Sequence, residues 1–106
     1  MQEQSQISRV KQIFKHVSIE TFVKYYDVFR ENKDFRSNAA IIDVFQKNNE
    51  NWGEKSQRTR ASKGKSIFRH NLEITALKYI IYHAQKTSNE ASGKAKKILA
   101  GLSPGD

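Results

Sequence analysis

Ile19-Glu20-Thr21-Phe22-Val23-Lys24-Tyr25-Tyr26-Asp27-Val28-Phe29-Arg30-Glu31 decides the fold class. Ile19, Phe22, Tyr26 and Phe29 recur at steps of three and four, with Tyr25 alongside, and Glu20, Lys24, Asp27 and Glu31 fall on the opposite side. That is the period of an amphipathic helix; a half-buried strand would alternate at every second residue. Ser18 stands immediately before the first apolar residue, where a hydroxyl can accept from an amide that the first turn leaves unpaired. The reading is one helix over residues 19–31, capped by Ser18.

The same period recurs outward in both directions. Ile7, Val10, Phe14 and Val17 make one stripe and predict a helix over 6–16. Beyond the central helix, Asn32 to Ser37 is polar and reads as a loop. Ser37 or Asn38 can cap a short helix over 39–47, with Ile41, Ile42 and Phe45 inward. The run Asn48-Asn49-Glu50-Asn51 favours a turn, because Asn tolerates left-handed backbone, and Trp52 reads as a core anchor behind it. Residues 54–69 place Ala61, Gly64 and Phe68 on one narrow face. Gly64 costs about 1 kcal/mol against Ala in a helix, so small residues there predict a close approach to a neighbour. Asn71 is the expected cap of a helix over 72–85, with Leu77, Ile80, Ile81 and Ala84 inward. Thr87 and Glu90 have capping-box spacing ahead of a last helix over 88–100, with Gly101 as its stop and 103–106 as a flexible tail. No segment alternates. The expectation is an all-α, compact bundle of five to six short helices, one domain over 1–102. Its core is to be built on Phe22, Tyr26, Phe29, Ile41, Phe45, Phe68, Leu77 and Ile81.

Composition narrows the function. At 106 residues the chain fits one domain. With no Cys it has neither a disulfide framework nor a thiolate metal site. No apolar run is long enough to span a bilayer. The first residues lack the basic and apolar regions of a signal peptide, which predicts a cytoplasmic location, or the nucleoid or nucleus if DNA is the partner. His16, His70 and His83 are scattered and lack the spacing that sets two ligands on one helix face, so no metal is expected. Gly64-Lys65-Ser66 spells the end of a phosphate-binding loop, but Thr59 stands where the motif needs its first Gly and no strand precedes it. The chain reads as a non-enzyme without a cofactor.

The charge is localised. The chain carries 19 Lys and Arg against 11 Asp and Glu, a formal +8. Lys55, Arg58, Arg60, Lys63, Lys65 and Arg69 hold +6 of it within residues 55–72, a stretch free of Asp and Glu. At about 100° per residue, Arg58, Arg69, Ser62, Lys55, Ser66, Thr59, His70 and Lys63 share one arc. Lys65 lies just outside it, and Phe68, Ala61 and Gly64 lie opposite. Lys and Arg neutralise phosphates and reach guanine, and Ser and Thr bond backbone or base edges. The expected nucleic-acid-binding set is therefore Lys55, Arg58, Thr59, Arg60, Ser62, Lys63, Lys65, Ser66 and Arg69. Arg58 and Arg69 are the candidates for base contacts. Lys86, Lys94, Lys96 and Lys97 form a secondary basic cluster, for flanking phosphates or for a helix C-terminus.

The order of short helix (39–47), polar turn and basic helix resembles a helix-turn-helix layout over 39–69, without the signature of any particular family. The first expectation is thus a small basic protein, monomer or homodimer, that binds double-stranded DNA, with RNA the nearest variant. The second is an interaction or inhibitor module that docks on a larger, nucleic-acid-processing complex. It would use Phe22, Tyr25, Tyr26, Phe29 and Phe35, with the basic face set on the partner or an acidic groove, and it gains if Tyr25 and Phe35 are exposed beside Phe29.

Overall fold

Apolar residues at helical spacing bury together only if their helices find one another, and in the computed structural model they do. It describes residues 2–83 and 87–102, with side chains from residue 5 onward. Among these residues there are seven helices and no strand. They are α1 (Gln2–Val17), α2 (Ile19–Lys24), α3 (Tyr26–Glu31), α4 (Ala39–Lys47), α5 (Glu54–Arg69), α6 (Glu73–Tyr82) and α7 (Asn89–Leu102). The tail 103–106, and Ala84 and Lys86, lie outside the described residues.

α5 is the hub. It touches α1, α3, α4 and α6, while α7 closes the other side against α2 and α6. Phe22, Phe29, Phe45, Phe68, Ile41 and Leu77 are fully buried in one cluster. Phe22 meets Phe14 and Tyr26 edge-on and stacks on Phe29 and Phe68. Gly64 makes the hub possible. A Cβ built there collides with the ring of Phe29 at three atoms, so the missing side chain is what lets α3 lie on α5. Of the expected core only Ile81 departs: it is half-buried, and Ile80 takes the interior position.

The expected helix over 19–31 is divided at Tyr25, whose φ and ψ are −110° and 25°. The ladder bonds Tyr25 N to Thr21 O and Phe29 N to Tyr25 O both survive at 3.0 Å, so the break is a local distortion. Tyr25 and Tyr26 are both buried there, against different neighbours. Tyr26 packs edge-on to Phe22 and Phe68, whereas Tyr25 packs on Phe45 and donates its hydroxyl to Glu50.

The ends differ from the sequence reading in a consistent way. Ser18 caps α2 as expected, accepting from Thr21 N at 3.2 Å. Asn71 is no N-cap. It has φ 57° and ends α5: Asn71 N reaches Phe68 O and Leu72 N reaches Ile67 O at 2.7 Å, a Schellman closure. Asn49, φ 60°, ends α4 the same way through Gln46 O and Phe45 O. Ser88, not Thr87, accepts the Ala91 amide ahead of α7, and the Thr87 hydroxyl is buried without a partner. α7 runs through Gly101, because Leu102 packs on the core and holds the last turn.

Lys24, Tyr25 and Glu50 tie α2 to the turn after α4. Burial pushes the Glu50 carboxyl up, but hydrogen bonds from Lys24 (2.8 Å) and Tyr25, with the charges of Lys24 and Arg60, outweigh it and leave the group below its ordinary 4.5. Burial first, then the bond to Glu50, pushes Tyr25 from 10.0 up to about 12. The Glu50 contribution is therefore present above pH 4.5 and lost as pH falls through the lowered value. The Tyr25 contribution is present below pH 10 and lost as pH rises towards about 12. Denaturant unfolding across pH should show Glu50→Gln flattening the acid limb and Tyr25→Phe flattening the alkaline one.

Gly64→Ala gains about 1 kcal/mol of helix propensity but overpacks the Phe29 ring at a cost of about 1–3 kcal/mol. A net loss of stability is expected. In a double-mutant cycle, Phe29→Leu should relieve part of it, because the smaller side chain vacates the contact.

Candidate nucleic-acid interface

α5 holds its basic residues in fixed directions because its opposite side is locked in the core. Its buried positions are Gln57, Ala61, Gly64, Lys65, Ile67 and Phe68. Gln57 anchors the entry to the helix by donating to Trp52 O at 2.8 Å. Lys55, Arg58, Ser62, Lys63, Arg69 and His70 are exposed, and Thr59 and Ser66 half so. The arc read from the sequence is thus the outward face.

The nine expected residues separate into groups by what their ends touch. Arg60 is turned inward. It donates to Val17 O and Thr21 Oγ1 at 3.2 Å and to Ser56 Oγ at 3.1 Å, and lies 4.2 Å above the Trp52 ring. Val17 ends α1, so Arg60 supplies a cation to a helix C-terminus, where carbonyls lack partners. Trp52 is half-buried and packs edge-on to Phe45, a core anchor as expected.

Lys65 is buried at 3% exposure and donates to Phe35 O at 2.7 Å. Its ammonium faces no carboxylate; desolvation, then the nearby Arg69 charge, lowers its pKa below 10.5. Neither Arg60 nor Lys65 stands on the outward arc, where the sequence reading does not set them either, although it counts both among the nucleic-acid-binding residues. Helix angle alone does not name their acceptors, because a long cationic side chain on a helix edge can turn either way.

Arg69 is intermediate: exposed, yet donating through Nε to Lys33 O at 3.1 Å and through Nη2 to Phe35 O at 3.5 Å. Lys65 and Arg69 together clamp the loop 32–38 onto α5. Arg58 pairs with Glu54 at 2.9 Å, one residue before the acid-free stretch begins. Both partners are exposed and the pair adds only a few tenths of a kcal/mol, so Arg58 remains available. Ser62 accepts from Asn38 Nδ2 at 3.1 Å, and Ser66 donates to Lys63 O at 2.7 Å. Among the described residues, the side chains of Lys55 and Lys63 have no hydrogen-bond or ion-pair partner.

The structure adds residues from α1 that the sequence reading missed. α1 and α5 run antiparallel: Arg60 reaches Val17 at one end, and at the other Gln6 meets Thr75 of α6, the helix that follows α5. Between them opens a groove of about 280 Å³ over Ile13, with Arg9, Gln12 and His16 on one wall and Lys63, Ser66 and His70 on the other. No carboxylate lines it. The signal was present in part, since 9, 12 and 16 share one face of α1, but their neighbour α5 lies far along the chain.

The secondary cluster belongs elsewhere. Lys94 donates to Lys24 O, the end of α2, at 3.4 Å. Lys96 and Lys97 are exposed on α7, which does not include them in its last turn. Of the cluster, Lys94 thus serves a helix C-terminus, that of α2. A second concavity, about 520 Å³, lies between α1 and α6 beside Ile74 and Tyr82, the latter 71% exposed. Among the described residues no cluster of His and carboxylates could hold a metal, and no helix is long and apolar enough to cross a membrane. No known protein family, curated protein or solved structure matches the chain.

Because Lys65 is protonated more readily in the unfolded chain, stability should rise with pH in the window below 10.5. Lys65→Met, close in volume, should cost less than about 1.5 kcal/mol at neutral pH and flatten that rise. Lys65→Glu sets a buried carboxylate against the Phe35 carbonyl, with only the exposed Arg69 nearby, and should cost more than Lys65→Met. Urea unfolding across that window reads each.

Proposed function

We propose that the chain is a small nucleic-acid-binding protein that holds the backbone of double-stranded DNA against the outward face of α5. The observation that carries this reading is the row Lys55, Arg58, Lys63 and Arg69 on a rigid helix, with Arg9 beside it across the α1 groove. On α5 itself the one acidic residue is Glu54, at its start. A localised cationic surface poor in carboxylates is the footprint of a polyanion site. Ser62 and Thr59, between the cations, suit phosphate oxygens or base edges.

Short α4, the turn 48–53 and α5 keep the order of a helix-turn-helix. Because α5 is the hub of the bundle, only its outward strip can approach a duplex. That geometry favours phosphate contacts over deep insertion into the major groove. On this reading the protein acts wherever DNA is, in the cytoplasm, the nucleoid or a nucleus. RNA duplex is the nearest alternative ligand.

The docking reading loses its expected surface. Tyr25 is 4% exposed and Phe29 fully buried, which leaves Phe35 alone on the outside at 60%. A protein partner, the second reading, finds better support in exposed Ile74 and Tyr82 beside the α1–α6 concavity.

Five free or weakly held cations imply a slope of log K against log salt of about −4 to −5 on duplex DNA. Lys63→Ala should weaken all sequences alike and flatten the slope by about one unit. Lys55→Glu with Lys63→Glu should abolish duplex binding without loss of stability, because neither lysine holds the fold together. Arg60→Ala should instead lower the melting temperature and leave the salt slope unchanged. Salt-titrated binding to duplex DNA, single-stranded DNA and duplex RNA tests the set. A folded double reversal that binds DNA as well as the wild type would overturn the reading.

A further inference from the structure

The α1–α5 groove has a composition that the proposed function does not require. Each wall repeats one pattern at steps of three and four: a fixed cation, a neutral hydrogen-bonding group, an imidazole. On α1 these are Arg9, Gln12 and His16; on α5 they are Lys63, Ser66 and His70. The two helices run antiparallel, so the patterns oppose each other head to tail. His16 is set towards Lys63 at one end and Arg9 towards His70 at the other. Each end thus joins one permanent cation with one titratable ring, and the ends are about 10 Å apart at 1.5 Å rise per residue.

We propose that this groove seats phosphate groups of a nucleic-acid strand, one at each end, and that His16 and His70 bind them as imidazolium. The inference rests on the reading of α5 as a nucleic-acid-binding helix. The chemistry that recognises the ligand is that of the phosphate alone. Arginine offers a planar fork of donors and lysine a point charge. A protonated imidazole donates from both nitrogens, so it can hold a phosphate oxygen while its other N–H faces water. Gln12 and Ser66, midway, can bond the sugar–phosphate chain between the seats.

The charged groups that face the imidazoles are Arg9 from α1 and Lys63 from α5, both cationic. α6 packs on both helices but contributes no lining residue, and its Glu73 is close enough to Tyr26 to act on that hydroxyl. An anion in the groove therefore supplies the opposite charge that two cationic walls lack. A phosphate that favours imidazolium must bind more tightly as pH falls, by linkage. Either a backbone phosphodiester or a terminal phosphomonoester provides the ligand.

The test measures duplex DNA affinity against salt at about pH 8 and about pH 6, with and without a 5′-phosphate, on the intact protein. The wild type should bind at both pH values, with a slope steeper by about one to two units at the lower. His16→Gln with His70→Gln should bind as the wild type does at pH 8 and lose the tightening at pH 6. His83→Gln, just past α6 and outside the groove, should keep it. Arg9→Gln should weaken binding at both. Tighter binding of the phosphorylated end identifies a terminal phosphate as the occupant; equal binding identifies the backbone. Duplex binding that ignores pH, or tightening retained in the double histidine variant, overturns this inference and leaves the α5 reading standing. Absence of duplex binding at either pH overturns both.

Discussion

The fold depends on the contact between the Phe29 ring and the bare backbone of Gly64. Four helices can surround α5 only if one of them comes closer than an ordinary side chain allows, and the glycine supplies that approach. Phe29 is fully buried there, stacked with Phe22 and edge-on to Phe45. The cost in helix propensity falls on a helix that packing holds on several sides. The same contact sets the place of the next residue. Lys65 is carried to the border of the buried face, under the loop 32–38, where its ammonium needs an acceptor and finds Phe35 O.

That bond is one case of a wider use of charge. Arg60 on Val17 O, Lys65 and Arg69 on loop carbonyls, and Lys94 on Lys24 O all place a cation on carbonyl oxygens. Val17 and Lys24 end α1 and α2, and their carbonyls carry the negative end of the helix dipole. A bundle of short helices has many such ends for its size. Part of the positive excess thus serves as cement between elements, and carboxylate partners are not needed for it. Of the cations not spent in this way, Lys63 and Arg9 line the α1–α5 groove, and Lys55 is exposed nearer the start of α5.

Six helical segments were legible from spacing alone, because an amphipathic period of three and four is a local property of the chain. The outward arc of α5 was legible for the same reason. The break at Tyr25 was not: the apolar period runs unbroken through 19–31, and Tyr25 meets Glu50 and Phe45, far along the chain, only on folding. Asn71 illustrates a second kind of ambiguity. Asn is favoured both before a helix and just after one, and only the short bond from Leu72 N to Ile67 O decides that it closes α5.

The sequence by itself determined an all-helical chain, the residues that fill its core, the small face that invites close packing and the presence of a concentrated positive charge. Periodicity, capping chemistry and charge count act over a few residues and need no partner. Only the tertiary structure decided which of the six α5 cations are spent on the fold and which face water, and that α1 lends Arg9 and His16 to the same seam. Where a long cationic side chain ends is set by the acceptors within its reach, and those acceptors come from helices and loops that the chain brings together only on folding.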